Sequence, residues 1–374
     1  MKLLHTADWQ MGMKASHTGD AGEKVRTARM ESLNTLATIA REHRVDFILV
    51  AGDVFEDNGV DRMLIQKVAD RMNQFPAPVY VIPGNHDPLV PGSVWEHPAW
   101  KSASNVHVLR DTQAVEVPGG VLYPCPCREK SCFQDPTKWI KDRDLSRITV
   151  GMAHGTVEGV QSEPDYPIPR DAATRAGLDY LALGHWHSFA LFSSPDGAPR
   201  MAYSGTHETT KFGERDSGNA LLVEIAEPGA VPTLTPVRSG RLTWMVVEKD
   251  LRQKGELAEL RARIEAMEQP ESTLLDIRLA GLLHGEEQEE LNRIHEIISS
   301  RFLYGNLDQT CLRPSPEDPR WIDILPAGYL QEAGRRIQAW SDPTAGGSRP
   351  EGVTPAMASR ALLELYALAK EVGR

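Results

Sequence analysis

Residues 79–87 read Val79-Tyr80-Val81-Ile82-Pro83-Gly84-Asn85-His86-Asp87, four apolar strand-forming residues that end in a turn bearing an amide, an imidazole and a carboxylate. A run apolar at every position fits a strand covered on both faces, as in a parallel sheet packed by helices. The same plan recurs four more times. Leu3-Leu4 leads to Asp8-Trp9-Gln10, and Phe47-Ile48-Leu49-Val50 leads to Gly52-Asp53. Ile148-Thr149-Val150 leads to His154, and Tyr180-Leu181-Ala182-Leu183 leads to Gly184-His185-Trp186-His187. In an open α/β sheet, sites form outside the carboxyl ends of the strands, so all five polar clusters are expected on one edge. Oxygen and imidazole donors converging there suit hard or borderline divalent ions, and a pair of such ions suits phosphate-ester cleavage.

Helical stripes alternate with these strands. Val25, Ala28, Leu33, Leu36, Ala37 and Ala40 share one face over residues 25–43. Ile65, Val68, Ala69, Met72 and Phe75 do the same over residues 61–75, where Pro76 stops the helix. Further strands are expected at 200–203 and 220–225, as parts of a second sheet. From residue 239 the rhythm changes to strand, helix, alternating strand, helix, strand, a small β-α-β-α-β unit ending near 316. The tail reads helix (329–340), a Gly/Pro/Ser-rich flexible linker (341–354) and a second helix (355–372). Met357, Ala361, Leu365, Leu368 and Val372 recur there at helical spacing, either packing back on the body or docking a partner. Three regions follow: a catalytic domain over 1–238, a small α/β domain over 239–316 and a helical tail over 317–374.

The 374 residues suffice for two domains or more, and 25% charged residues is ordinary for a globular protein. A net charge of −11 excludes a protein that coats nucleic acid by electrostatics alone. It does not exclude a nuclease, because two divalent ions bring about +4 to the reacting phosphate. No apolar stretch nears the roughly 18 residues of a membrane span. The chain opens almost directly on a strand, with no signal peptide ahead of it, so a cytoplasmic protein with no membrane partner is expected. Cys125, Cys127 and Cys132 lie close together and Cys311 is remote. Cys-Pro-Cys lacks zinc-ligand spacing, so reduced structural thiols are expected.

A dinuclear site needs a shared ligand, and a carboxylate serves best because its charge offsets the repulsion between cations. Asp53 takes that role in this reading. Asp8 and His187 hold the first ion; Asn85, His154 and His185 hold the second. Asn85 offers a neutral carbonyl oxygen, which keeps the site net positive for a phosphate. His86 follows Asn85 directly and is placed to stabilise the phosphorus centre or protonate the leaving oxygen. A carboxylate would orient its ring and raise its pKa; Glu56 is the first candidate and Asp57 the next.

Gly52-Asp53, Gly84-Asn85-His86-Asp87 and Gly184-His185-Trp186-His187, in this order, resemble the calcineurin-like metallophosphoesterases. His5-Thr6-Ala7-Asp8 and Tyr203-Ser204-Gly205-Thr206, followed by Phe212-Gly213-Glu214, narrow the resemblance to SbcD-like DNA-repair exonucleases. The likeness is close over about residues 1–220. It implies a four-layer αββα sandwich with a small α/β cap domain and a helical C-terminal tail. It further implies two manganese ions, phosphodiester hydrolysis on DNA, and an SbcC-like ATPase partner whose coiled coil is gripped by the C-terminal region. A homodimer stays open.

One position departs from the pattern. The family usually has Asp-x-His at its first motif, and here Gln10 stands in the third place. Gln10 is assigned to the first metal site as a weaker, oxygen-donating ligand. His17 or His207 could supply the missing nitrogen, although each also reads as a surface histidine. Two other functions share these residues: a phosphatase or phosphodiesterase acting on small substrates, and a scaffold whose metal site has decayed. Only Gln10 speaks for the scaffold, while seven other site residues are intact.

Overall fold

The computed structural model describes residues 1–374 apart from 142, 163, 195–196, 285–286, 315–320, 345–348 and 373–374. Strands β1 (Lys2–Thr6), β2 (Phe47–Ala51), β3 (Val79–Ile82) and β4 (Val106–Val108) run parallel and adjacent. A second sheet holds β5 (Val115–Val117), β6 (Gly120–Cys125), β7 (Ile148–His154), β8 (Tyr180–Gly184), β9 (Ala190–Phe192) and β10 (Met201–Tyr203). Its order is β5-β6-β7-β8-β10-β9, parallel from β6 to β10 with an antiparallel strand at each edge. β11 (Asn219–Glu224) and β12 (Thr233–Arg238) complete the first sheet. The 220–225 run therefore belongs to the first sheet, not the second. It pairs antiparallel with β1, Leu4 opposite Leu222, and satisfies the backbone edge that β2 leaves open.

Register sorts the apolar residues into three layers of core. Leu4, Ile48, Val50, Val79 and Val81 turn outward from the first sheet onto α1 (Gly22–Glu42) and α2 (Arg62–Asn73). Leu33, Leu36 and Ile39 of α1 meet them there, with Ile65, Val68 and Met72 of α2. The alternate residues Leu3, Phe47, Leu49, Tyr80 and Ile82 face Leu122, Val150, Met152 and Tyr180 of the other sheet. Beyond that sheet, Val121, Tyr123, Leu181 and Leu183 pack on α4 (Ala172–Ala176), while α3 (Ala99–Ser102) sets Trp100 in the first layer. This is the four-layer αββα sandwich implied by the resemblance. Each fully buried aliphatic side chain in it contributes roughly 1.5–3 kcal/mol. Cys125 and Cys127 are buried free thiols within it, and burial pushes Cys125 up to about 12.

The chain divides into two compact units, Met1–Trp244 and Met245–Arg374. The second carries β13 (Thr243–Leu251, most of its length), α5 (Glu256–Glu265), β14 (Thr273–Leu283), α6 (Gln288–Arg301) and β15 (Tyr304–Pro314). Leu257, Leu260 and Ile264 of α5 and Leu291, Ile294 and Ile298 of α6 bury one face of the β13-β14-β15 sheet. Its tail consists of α7 (Trp321–Ile324), α8 (Tyr329–Ser341) and α9 (Pro355–Val372). Gly334 of α8 makes room for Ile322 of α7, which a Cβ there would meet at 2.9 Å, while Leu365 of α9 packs at an ordinary contact distance of 3.5 Å. Trp321 and Tyr366 meet edge to face at 5.0 Å. Helix α9 thus packs on its own tail through one face, while Met357 and Leu368 stay exposed. The side chain of Val372 and linker residues 345–348 lie outside the described residues. Among the described residues, no helix is long and apolar enough to cross a membrane.

Candidate metal centre

Parallel pairing brings the ends of β1, β2 and β3 to one edge of the first sheet and those of β7 and β8 to one edge of the second, and the packing of the two sheets on each other sets these edges side by side. The loops after β1 and β2 are zipped together by backbone bonds: Asp8 N–H to Gly52 O at 3.1 Å, Gln10 N–H to Asp53 O at 3.0 Å, and Met11 N–H to Val54 O at 2.8 Å. Asp8, Gln10, Asp53 and His185 all take positive φ values, of 54°, 46°, 53° and 108°. Non-glycine residues adopt that region at a cost of order 1–3 kcal/mol, and such strain concentrates at functional sites. Two glycines admit the side chains. A Cβ on Gly84 would collide with the Asp53 carboxylate, and one on Gly52 with the ring of His154.

Asp8, Asp53 and His154 converge, their donor atoms all within 4.8 Å of one another and all buried. His154 donates through Nδ1 to the carbonyl of Ala51 at 2.9 Å, which leaves Nε2 as a lone pair. That lone pair faces Asn85 Oδ1 at 2.9 Å and Asp53 Oδ2 at 3.4 Å. Three acceptors aimed at one buried point require a proton or a cation between them. Burial opposes charge on His154, but the Asp53 carboxylate and its hydrogen bond outweigh it and lift the imidazole to about 9. An ion binding here competes with that proton. Around this point burial also raises Asp8 to about 6, against the pull of His154 and His187. For Asp53, burial is overridden by His154, which holds the carboxyl well below its usual range. The donor set of carboxylate, amide oxygen and imidazole fits a hard or borderline divalent ion.

The remaining residues border this point. His185 donates its backbone N–H to both Asp8 oxygens, at 2.9 and 3.1 Å, and its Nδ1 lies 3.2 Å from Asn85 Oδ1. Burial, then the charge of His154, lowers its pKa to about 4, keeping the ring neutral. His187 is half-buried, with Nδ1 2.8 Å from Glu214 Oε1. His86 is exposed; its backbone N–H reaches Asp53 Oδ1 at 2.9 Å and its Nδ1 meets the carbonyl of Glu56 at 2.9 Å. The main chain of Glu56, not its carboxylate, is therefore what orients this ring. Asp87 turns inward to accept Phe55 N–H at 2.9 Å and Gly84 N–H at 2.7 Å, so it shapes the turn.

Gln10 departs from the role of an oxygen ligand. It is buried, and its Nε2 donates to Asp53 Oδ2 at 2.9 Å. Neither proposed replacement fills its place. His17 is exposed and stacks near Trp244 at 5.6 Å, and His207 is buried against Trp9 with Nε2 on the carbonyl of Arg29 at 3.0 Å. Burial lowers His207 to about 3, the state of a neutral structural histidine. Gln10→His is expected to add a nitrogen at a position whose αL backbone histidine tolerates comparatively well. Manganese affinity should rise by roughly 10–100-fold, with activity gained at limiting metal and the gain shrinking at saturation. Equal affinity in calorimetric titrations of the two proteins would overturn this expectation.

Two contacts have no counterpart in the sequence pattern. Glu214 lies in a quoted motif without an assigned role, and Asp165, 3.3 Å from Asn85 Nδ2, has no local signal at all.

The model of the calcineurin-like phosphoesterase family matches residues 1–189. An uncharacterized metallophosphoesterase, YhaO of Bacillus subtilis (strain 168), is 25% identical over 213 residues, 54% of this chain and 51% of YhaO. The chain thus spans about half the length of that relative. One subunit of the nuclease SbcCD of the same organism is 24% identical over 342 residues, 79% of this chain and 83% of that subunit. The crystal structure of TT1561 of Thermus thermophilus superposes with a TM-score of 0.42 and 9% identity, over 64% of this chain and 98% of that one. With the family model covering half the sequence and the buried Asp8, Asp53 and His154 triad at the strand ends, the chain belongs to the calcineurin-like phosphoesterases and is a metal-dependent hydrolase.

Proposed function

We propose that this protein hydrolyses phosphodiester bonds in DNA at a dinuclear manganese centre, in the cytoplasm, with an SbcC-like coiled-coil ATPase as its partner. The observation that carries the reading is the convergence of Asp53, Asn85 and His154 on one buried point, flanked by Asp8, His185 and His187. Asp53 is the shared ligand. Asp8 and His187 serve the first ion, with Gln10 beside them; Asn85, His154 and His185 serve the second. Divalent ions bound there would polarise the phosphate and supply a nucleophilic water. His86 keeps its Nε2 for substrate and delivers a proton to the leaving oxygen.

The nuclease subunit, aligned over 79% of this chain, supports the DNA reading over a small-molecule enzyme. So do the second unit and its tail, for which a small substrate has less need. Metal-stripped protein given manganese or magnesium, with labelled single- and double-stranded DNA and bis-p-nitrophenyl phosphate, tests this directly. Cleavage of DNA and diester, faster with manganese, is the expected result. Diester cleavage alone would make it a small-substrate enzyme, and no cleavage of either a scaffold.

Residues 317–374 form the partner-docking region in this reading. Met357 and Leu368 are each 57% exposed on α9, in the position of anchors for an apolar groove or coiled coil. Changing both to Asp leaves the packed face of Leu365 intact. Hydrolysis of the small diester should be retained, while affinity for the ATPase falls by roughly 30-fold or more, the scale of a hot-spot pair. Undiminished binding in a pull-down with the purified ATPase would remove α9 from the interface.

A further inference from the structure

Two carboxylates outside the metal-ligand set each touch one of its side chains. Glu214 Oε1 lies 2.8 Å from His187 Nδ1, and Asp165 Oδ2 lies 3.3 Å from Asn85 Nδ2. We propose that Glu214 and Asp165 are positioning residues, one for each ion: Glu214 sets the ring of His187, and Asp165 sets the amide of Asn85. The inference rests on the dinuclear reading and deepens it.

An imidazole binds a metal through one nitrogen only when its proton sits on the other. A carboxylate at Nδ1 holds the proton there and presents Nε2 as the ligand atom. Glu214 is built to stay in place. Its side chain is 5% exposed, its Oε2 accepts the Thr210 N–H at 2.8 Å, and the Thr210 hydroxyl donates to Oε1. The loop leading to it is clamped from below by Arg29, a buried guanidinium that donates to the carbonyls of Trp9 at 2.8 Å, Glu208 at 2.7 Å and Thr209 at 3.1 Å. Trp9 stands between Asp8 and Gln10, so the same arginine ties the first motif to the loop that orients His187.

Asp165 works on an amide rather than a ring. Asn85 has one donor end and one acceptor end, and only the acceptor can bind a cation. With Asp165 accepting from Nδ2, the oxygen is turned toward His154 Nε2 at 2.9 Å and His185 Nδ1 at 3.2 Å. A flipped amide would set its oxygen against a carboxylate. Asp165 is held in turn by the Cys132 N–H at 2.7 Å and the Ser131 hydroxyl at 3.1 Å.

Calorimetric manganese titration of metal-stripped wild type, Glu214→Gln and Asp165→Asn tests the pair. The amides keep size and one acceptor oxygen, and each variant is expected to lose roughly 10–100-fold in affinity for one ion with the other little changed. A second readout needs no metal. Imidazole ¹⁵N shifts should show His187 as the Nδ1–H tautomer in wild type, and as a tautomer mixture in Glu214→Ala. Unchanged affinities, or an equal loss at both ions in each variant, overturn the inference while the dinuclear reading stands. So does a lowered unfolding temperature with metal affinity intact, since that marks a purely structural role. A wild-type protein that binds fewer than two ions takes down both.

Discussion

Asp53→Asn is expected to lower hydrolysis of a small phosphodiester by about 10⁴-fold or more, the scale of removing a group that acts at the reacting centre. Asp53 is the residue on which the site converges. Its Oδ1 accepts the His86 N–H at 2.9 Å, and its Oδ2 accepts Gln10 Nε2 at 2.9 Å and lies 3.4 Å from His154 Nε2. An amide keeps the shape but loses the charge, and its NH₂ group would face a donor whichever way it turned. Manganese titration should show both ions weakened together. Without metal, His154 should titrate well below about 9, because the Asp53 carboxylate is what outweighs burial there. Imidazole NMR across pH reads that change independently of turnover. One ion still bound with wild-type affinity would mean that Asp53 is not shared.

His86→Ala should retain both ions and lose roughly 10²–10⁴-fold in turnover, the range of a positioned general acid. The ring is exposed and anchored by Nδ1 at the Glu56 carbonyl, 2.9 Å away, so truncation leaves no buried group unsatisfied. The buried carboxylates of Asp8 and Asp53 remain to hold metal. A substrate with a better leaving group should narrow the deficit, because it needs the proton less. Glu56→Gln should change little, since the main chain and not the carboxylate meets the ring. A loss in Glu56→Gln comparable to that of His86→Ala would return the orienting role to the carboxylate. Loss of an ion in His86→Ala would make His86 a ligand instead.

Much of this was legible in the chain because it is local. Continuous apolar runs such as Val79-Tyr80-Val81-Ile82, each ending in Gly, Asp, Asn or His, determine buried parallel strands with polar ends. Parallel pairing sets Asp8 beside Asp53 at one edge of the first sheet and His154 at the matching edge of the second, and the packing of the two sheets on each other brings the three together from positions far apart in sequence. What the tertiary structure decided involves partners that no short window contains. The 220–225 run joined the first sheet because β1 had an open edge, and an apolar alternation does not say which edge it will cover. Gln10 became a donor to Asp53 because the loops after β1 and β2 are zipped together, so its amide reaches a carboxylate 43 residues away. The ring of His86 found the main-chain carbonyl of Glu56 rather than its side chain, a choice that residue order alone does not specify. Glu214 and Asp165 lie 27 and 80 residues from the side chains they touch. Residue type at a strand end sets which donors are available; only the packing of loops against one another sets where each donor points.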